Sequence, residues 1–440
     1  MSQLRKRLSL FGLTSIAVGA CIGSGIFVTP GQIAGAVGNE ALVLVVWALG
    51  GFIALCGALT FAELGGMFPQ SGGVYVYLRE AYGDLIGFLY GWVMLLVINT
   101  GALAGLCVAF AEYMKIFLPE MSHGGKTAIA AGTMLFLTLV NMRGVQISQG
   151  LANLFMVLKL AAIGAIIVIG MVNYDPGAVP LSLSFTEGMP DNIAAALLAG
   201  LIGVFFSVGG WHHASYVAGE ARDANRVVPK AMFFGVLIVT TVYLLVNLAY
   251  MLLLPLPEIA ATNRVAAEAL NRVVPWGGQV VSIAIALSIF GTISIYTMSA
   301  PRIYFAMAED GIFFKKLAAL HPRWATPANA MGIQAVWALA VLLFFSGLFN
   351  HIITFVTFMD IAFMGLAGAS VFVFRRKKPG QERPVRAWGY PVVPAIFVLL
   401  SFLFAGNTLL EQPAQAVPGV VLLLLGVGVF YWYRQRKVRA

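Results

Sequence analysis

Charge is what this chain of 440 residues has least of: 10% of its positions are Asp, Glu, Lys or Arg, where a water-facing protein carries about a quarter. That scarcity excludes a soluble enzyme, a secreted domain and a disordered chain. Cysteine is scarce too. Cys21, Cys56 and Cys107 all lie inside apolar runs, leaving no loop disulfide framework and no CxxC metal or redox pattern. The five histidines make no H-E-x-x-H, no Gly-x-Ser-x-Gly elbow occurs, and no pore-lining filter motif repeats. A membrane-embedded hydrolase or a channel therefore lacks its signature, and neither a cofactor nor a metal is expected.

What the chain has instead is apolar length. Hydrophobic residues make up 60% of it, enough for about a dozen bilayer spans of about 20 residues each. Runs bounded by Gly, Pro or charge fall at 10–34, 41–68, 82–118, 127–143, 150–172, 192–219, 231–254, 276–307, 328–349, 352–374, 391–411 and 417–433. The expected fold is all-α and polytopic, with twelve transmembrane helices.

The net charge of +9 is a matter of topology. With the N-terminus inside, 22 of the 27 basic residues fall in inside segments, notably 5–7, 375–386 and 434–439, and four, Lys115, Lys126, Arg264 and Arg272, fall outside. This asymmetry predicts cytoplasmic termini. It points to a lipid bilayer as the basic surface's partner, and not to nucleic acid. The remaining basic residue, Lys159, sits in the middle of the fifth run. A lysine there costs about 2.5–3.5 kcal/mol on insertion scales, so it should face the protein interior and a partner. The alternatives are a structural pair or a snorkelling stem.

Two runs are broken near their middles, the first at Gly23-Ser24-Gly25 and the sixth at Ser207-Val208-Gly209-Gly210. The breaks lie five spans apart, and five is odd, so the second set of five starts from the opposite face. That is the pattern of an inverted repeat with broken helices at the midplane, the best sequence pointer to a transporter's binding site. Glycine permits the unwound backbone. The amides of Gly23, Ser24 and Gly25 would sit at the start of a half-helix from Ile26 and favour a carboxylate. The carbonyls around Ala20 and Cys21 would favour an ammonium. An anion site beside a cation site matches an α-amino acid. The competing view of Gly-x-Gly is helix packing alone. Phe206 reads either as a lid over a ligand or as packing.

These residues resemble a known family. Gly23-Ser24-Gly25-Ile26-Phe27 is similar to the first-span signature of the amino acid–polyamine–organocation (APC) superfamily. Val45–Leu49, Ala58–Gly65, Pro69–Gly73 with Tyr75 and Tyr77, Leu96–Asn99 and Phe206–Trp211 resemble its L-type amino acid transporter (LAT) branch, in a bacterial form. The resemblance covers roughly 8–230 and implies a LeuT-type fold of five plus five inverted spans. In that frame 1–9 is a cytoplasmic N-terminus, 10–172 the first repeat, 173–191 an outer loop and 192–374 the second repeat. A basic cytoplasmic loop, 375–390, then precedes spans eleven and twelve, 391–433, and a cytoplasmic C-terminus, 434–440.

The resemblance further implies that the substrate carboxylate meets the amides around Ser24 and Gly25, beside Gly23. Its ammonium would meet the carbonyls of Cys21, Phe206 and Gly209, with Ser207 nearby and Phe206 as the gate. Lys159 falls where family members carry a lysine in place of a bound sodium ion. His212 departs from the Asn more usual after this Trp, and either tunes selectivity or is structural. Glu63, Asp360 and His213 are open between structural and functional roles. Gly101 and Ala102 leave room for a side chain, and with no acid evident at the pocket, neutral substrates are expected.

The expected function is a sodium-independent L-amino acid exchanger of the bacterial inner membrane, not an enzyme, working by alternating access. The alternative is a proton-coupled symporter using Glu63, Asp360 or His212. Sodium coupling through Thr292, Ser294 and Thr297 is less favoured. Mammalian L-type relatives are tethered to a glycoprotein through an outer-loop cysteine. The segment 119–127 has none, so no disulfide-linked heavy chain is expected.

Overall fold

The computed structural model describes residues 4–186, 188–345, 349–411 and 413–439. Parts of the expected N-terminus (1–3), outer loop (187), ninth run (346–348), final two-span segment (412) and C-terminus (440) lie outside the described residues. Nineteen α-helices follow one another among the described residues, and one isolated parallel bridge joins Leu8 to Ala221. They are α1 Leu10–Cys21, α2 Gly25–Val37, α3 Glu40–Met67, α4 Val74–Tyr82, α5 Asp84–Val93, α6 Asn99–Tyr113, α7 His123–Met142, α8 Val145–Val172, α9 Ile193–Val208 and α10 His213–Tyr216. Then come α11 Ala224–Leu253, α12 Leu256–Ala261, α13 Val265–Asn271, α14 Gly277–Ser299, α15 Pro301–Glu309, α16 Ala328–Phe345, α17 Phe349–Lys377, α18 Val392–Glu411 and α19 Pro413–Arg439.

Side-chain caps start several of the apolar helices. Ser9, Asn39, Ser122 and Asn192 accept hydrogen bonds from the first-turn amides of α1, α3, α7 and α9, satisfying donors that a helix start leaves open. Among the described residues ten helical segments are long and apolar enough to cross a membrane, and α1 with α2, bent by 44°, makes an eleventh if the pair is one span. The ninth expected run is a shorter apolar helix, Ala328–Phe344. The protein is an all-helical, multi-pass membrane protein.

Stretches read from the sequence as punctuation also carry helix. α4 follows the Pro69–Gly73 turn, and its Tyr75 hydroxyl donates to Asp310 at 2.7 Å while Arg79 pairs with the same carboxylate. α12 and α13 fill the 255–275 segment. Inside the third run, a π-helical turn at Met94–Ile98 joins α5 to α6. Such turns are single insertions that re-aim the residues after them, here Asn99.

Glu63 has a structural answer. It is fully buried, and both of its oxygens are taken: Arg375 donates at 2.9 and 2.7 Å, Arg383 at 3.1 Å and the Ala387 amide at 2.8 Å. A buried carboxylate is tolerable when paired and hydrogen-bonded on every lone pair. One acid on α3 thus organises the basic loop after α17.

Both chain ends lie beside the segment 313–323, since Arg5 donates to the Arg323 carbonyl and Tyr433 to that of Phe313. On that face the chain is tightly closed. The amides of Arg7 and Leu8 donate to the Glu220 carbonyl at 2.8 and 2.9 Å, and the Arg222 amide donates to Leu8 at 2.9 Å. The Glu220 carboxylate accepts from the buried Arg302 at 2.7 Å, and the Gly72 amide donates to Tyr216 at 2.9 Å.

Candidate functional site

The first broken span is the centre of the molecule. α1 packs against α8, α11 and α14, and α2 against α9 and α12. The helix is interrupted at Ile22–Ser24 and resumes at Gly25, one residue before the expected restart at Ile26. The sixth run breaks after Val208 and turns through 209–212 into α10. The two breaks touch through glycine. A Cβ on Gly25 would fall 2.9 Å from the Ser207 Cα, and one on Gly210 2.9 Å from the Ala20 carbonyl carbon. Gly210 also has φ +113°, a conformation that side chains resist.

Lys159, 2% exposed, reaches into the first break from α8. Its Nζ donates to the carbonyls of Gly19 at 2.8 Å and Ile22 at 2.6 Å, and to Thr292 Oγ1 at 2.7 Å. Thr292 lies 3.0–3.1 Å from the carbonyls of Gly19, Ile22 and Ser288, and Ser288 donates to Ile22 at 3.1 Å. The unwound carbonyls of α1 are therefore satisfied by an ammonium and two hydroxyls from within the chain, as a nonpolar surrounding requires. Ser294 instead meets Asn141, and Thr297 bonds back to its own helix at Ile293.

The amides behave differently. Gly23 N–H is turned back to the Cys21 carbonyl at 2.9 Å, while among the described residues those of Ser24, Gly25 and Ile26 donate to no backbone carbonyl. Ser24 and Gly25 line a cavity of about 500 Å³, together with Gly23, Phe206 and Gly209. Gly101 and Ala102 also line it, beside Thr292 and Tyr296. Its walls on α2 and α9, from Val28 to Ile33 and from Ala199 to Gly203, lie on the far side of the breaks from the chain ends.

Two of the expected ligand groups are already engaged. The Cys21 carbonyl accepts from the Tyr243 hydroxyl at 3.1 Å as well as from Gly23, which fills both its lone pairs. The Ser207 hydroxyl is shared between Thr29 Oγ1 at 2.8 Å and the Gly203 carbonyl at 2.9 Å, and the Ser207 carbonyl accepts from Tyr243 at 3.2 Å. The carbonyls of Phe206 and Gly209 accept no hydrogen bond among the described residues. Tyr243, which ties the two breaks together from α11, was not singled out from the sequence. Its one signal is a hydroxyl in an apolar run, which must find a partner.

A family model described as amino acid permease matches residues 8–432. The chain belongs to the amino acid permease family. This permease is 32% identical to the serine/threonine exchanger SteT of Bacillus subtilis (strain 168), over 99% of its own length and 98% of that protein. It is 33% identical to the human large neutral amino acids transporter small subunit 2, over 99% of its length and 82% of the relative's. To the human b(0,+)-type amino acid transporter 1 it is 30% identical, over 98% and 88%. The APC superfamily and L-type resemblance read from the motifs is therefore shown, and it extends well past residue 230. The permease is an amino acid transporter.

Phe206 forms part of the wall between the main cavity and a smaller one. The smaller cavity, of about 150 Å³, is lined by Asn99, Trp211, His212, His213, Tyr296 and Asp360 among others. His213 Nδ1 lies 2.6 Å from Ser299 Oγ, and His212 packs edge-on against Trp211 and Tyr216. From the sequence, Asp360 was an acid within the tenth run, open between a structural and a functional role. Its position here removes the ground for expecting neutral substrates alone, which was that no acid stood at the pocket.

Proposed function

We propose that this permease is a sodium-independent exchanger of L-amino acids, working by alternating access on a LeuT-type frame of two inverted five-helix repeats. Residues 10–172 and 192–374 are the repeats, and the helices within 391–433 lie outside them, giving twelve spans. The observation that carries the reading is the ammonium of Lys159 among the carbonyls of Gly19 and Ile22 and the hydroxyl of Thr292. Carbonyls and hydroxyls converging on one point are what a bound sodium ion needs. Here the Lys159 side chain occupies that point, so sodium has no vacancy to fill.

The substrate carboxylate meets the amides of Ser24 and Gly25 in this reading, and its ammonium the carbonyls of Phe206 and Gly209. Phe206 closes over it. Exchange follows if the return of the carrier requires a bound substrate to lower the step between its two states. By the distribution of Lys and Arg, both termini are cytoplasmic in a bacterial inner membrane. The three cysteines are buried and free, which supports a chain without a disulfide-linked partner.

The test is counterflow in proteoliposomes. Exchange of a labelled amino acid should proceed equally with and without sodium and fail in vesicles empty of amino acid. The second reading, proton-coupled symport, rests on the unpartnered Asp360 oxygen inside the membrane. Accumulation into empty vesicles under a proton gradient would favour it and sink the exchanger.

A further inference from the structure

The smaller cavity holds polar groups that the chain itself leaves incomplete. Asn99 is 1% exposed, and among the described residues neither its amide nitrogen nor its oxygen has a partner; Asp360 is half-buried, with its Oδ1 shielded and likewise unpartnered. Among the described residues lining this cavity, none is a lysine or arginine, and Asp360 is the one acid. The indole of Trp211, the imidazoles of His212 and His213 and the hydroxyls of Tyr296, Thr357 and Ser401 make up the rest of its polar lining, with His213 engaged by Ser299 and Ser401 by the Phe397 carbonyl. An unmade hydrogen bond on a buried group costs about 1–3 kcal/mol, and more when the group is charged. Such groups persist where a partner that comes and goes completes them.

The position of the cavity identifies that partner. It shares Ala102, Phe206, Gly209, Tyr296 and Val356 with the main cavity. Two of these five, Ala102 and Gly209, are small, so the partition between the two spaces is thin there. The π-turn at Met94–Ile98 comes immediately before Asn99 and aims it at the same space. An amino acid held by its backbone at the two breaks would extend its side chain through this wall.

We propose that the smaller cavity is the side-chain subsite of the carrier, and that Asp360 selects substrates whose side chain ends in a cation, an ammonium or a guanidinium, with Asn99 Oδ1 accepting a second hydrogen bond. This rests on the transport reading above. A neutral side chain of the same length leaves the carboxyl unpaired. A site built around a buried polar group discriminates strongly against an analogue that lacks the matching group.

The experiment is equilibrium binding to the purified full-length protein by calorimetry. It uses L-lysine against L-norleucine, which lacks only the ammonium, and L-arginine against L-citrulline. The cationic member of each pair should bind at least about tenfold tighter. Asp360→Asn should bring both ratios close to one, with norleucine binding still measurable as proof of an intact site. Asp360→Glu, which keeps the charge, should retain a preference, and Asn99→Ala should lower it severalfold. Ratios near one in the wild type, ratios unchanged in Asp360→Asn, or no binding of any of the four would each overturn the subsite. Counterflow separates this from the transport reading. Exchange of neutral amino acids without a cationic preference removes the subsite and leaves the carrier. Cationic preference in binding without exchange leaves the subsite and removes the exchanger.

Discussion

At the break between α1 and α2 the chain supplies donors for the freed carbonyls, whereas at the break after α9 it supplies one for Ser207 and leaves those of Phe206 and Gly209 without one. Lys159, Thr292, Ser288 and Tyr243 take up the carbonyls of Gly19, Cys21 and Ile22. What the first break leaves over is donors, the amides of Ser24, Gly25 and Ile26. The second break leaves over acceptors, the carbonyls of Phe206 and Gly209. Both breaks cost the same kind of unwound backbone in a nonpolar surrounding. The difference teaches where the missing partner comes from. Donors on one side of a cavity and acceptors on the other are the complement of a zwitterion, and the internal ammonium ensures that the first break does not compete for the substrate's own.

The comparison can be broken most severely at Lys159. Lys159→Ala strips an ammonium from two buried carbonyls, and at about 1–3 kcal/mol for each unmet group exchange should fall on the order of a hundredfold. Wild-type counterflow kinetics in that variant would end the account of the first break. Gly210→Ala comes next. It puts a Cβ against the Ala20 backbone at a positive φ, and strain of about 1–3 kcal/mol should cut exchange by about tenfold or more; an unaltered rate would mean that the two breaks need not touch.

Phe206→Ala removes the wall between the two cavities without touching the first break. Losing the contact of one large side chain, at about 1.5–3 kcal/mol, should raise KM by roughly tenfold and spare binding at the first break. Equal effects on kcat and KM would instead assign Phe206 to the conformational step. The smallest effect is expected from Tyr243→Phe, which removes one hydroxyl shared by Cys21 and Ser207. At about 0.5–1.5 kcal/mol for a neutral hydrogen bond, the loss should be about three- to tenfold in exchange rate.

How much of this was legible in the sequence depended on whether the signal was local. The breaks were, because Gly23–Gly25 and Gly209–Gly210 announce unwound backbone inside apolar runs. Lys159 was, because a charge in such a run must have a reason. The partners were not. Thr292 lies 133 residues from Lys159, and Arg375 lies 312 from Glu63, so only folding brings them together. The partner of Cys21 and Ser207 was equally hidden, since both their carbonyls accept from the hydroxyl of Tyr243, one tyrosine among 14. The π-turn was invisible, since Met94–Ile98 is as apolar as its flanks. Asp360 was visible as an acid in a span, but not as the neighbour of Asn99.

The short ladder at the N-terminus has a mechanical consequence. Leu8 precedes α1, and Glu220 and Arg222 follow α10, so three main-chain bonds clasp the entry of the first broken span to the exit of the sixth. Because they share one register, they unzip together. At about 0.5–1.5 kcal/mol each, net, they set a threshold of a few kcal/mol. The two half-helices nearest the chain ends are thereby geared: any motion that parts α1 from α10 has all three bonds to break first.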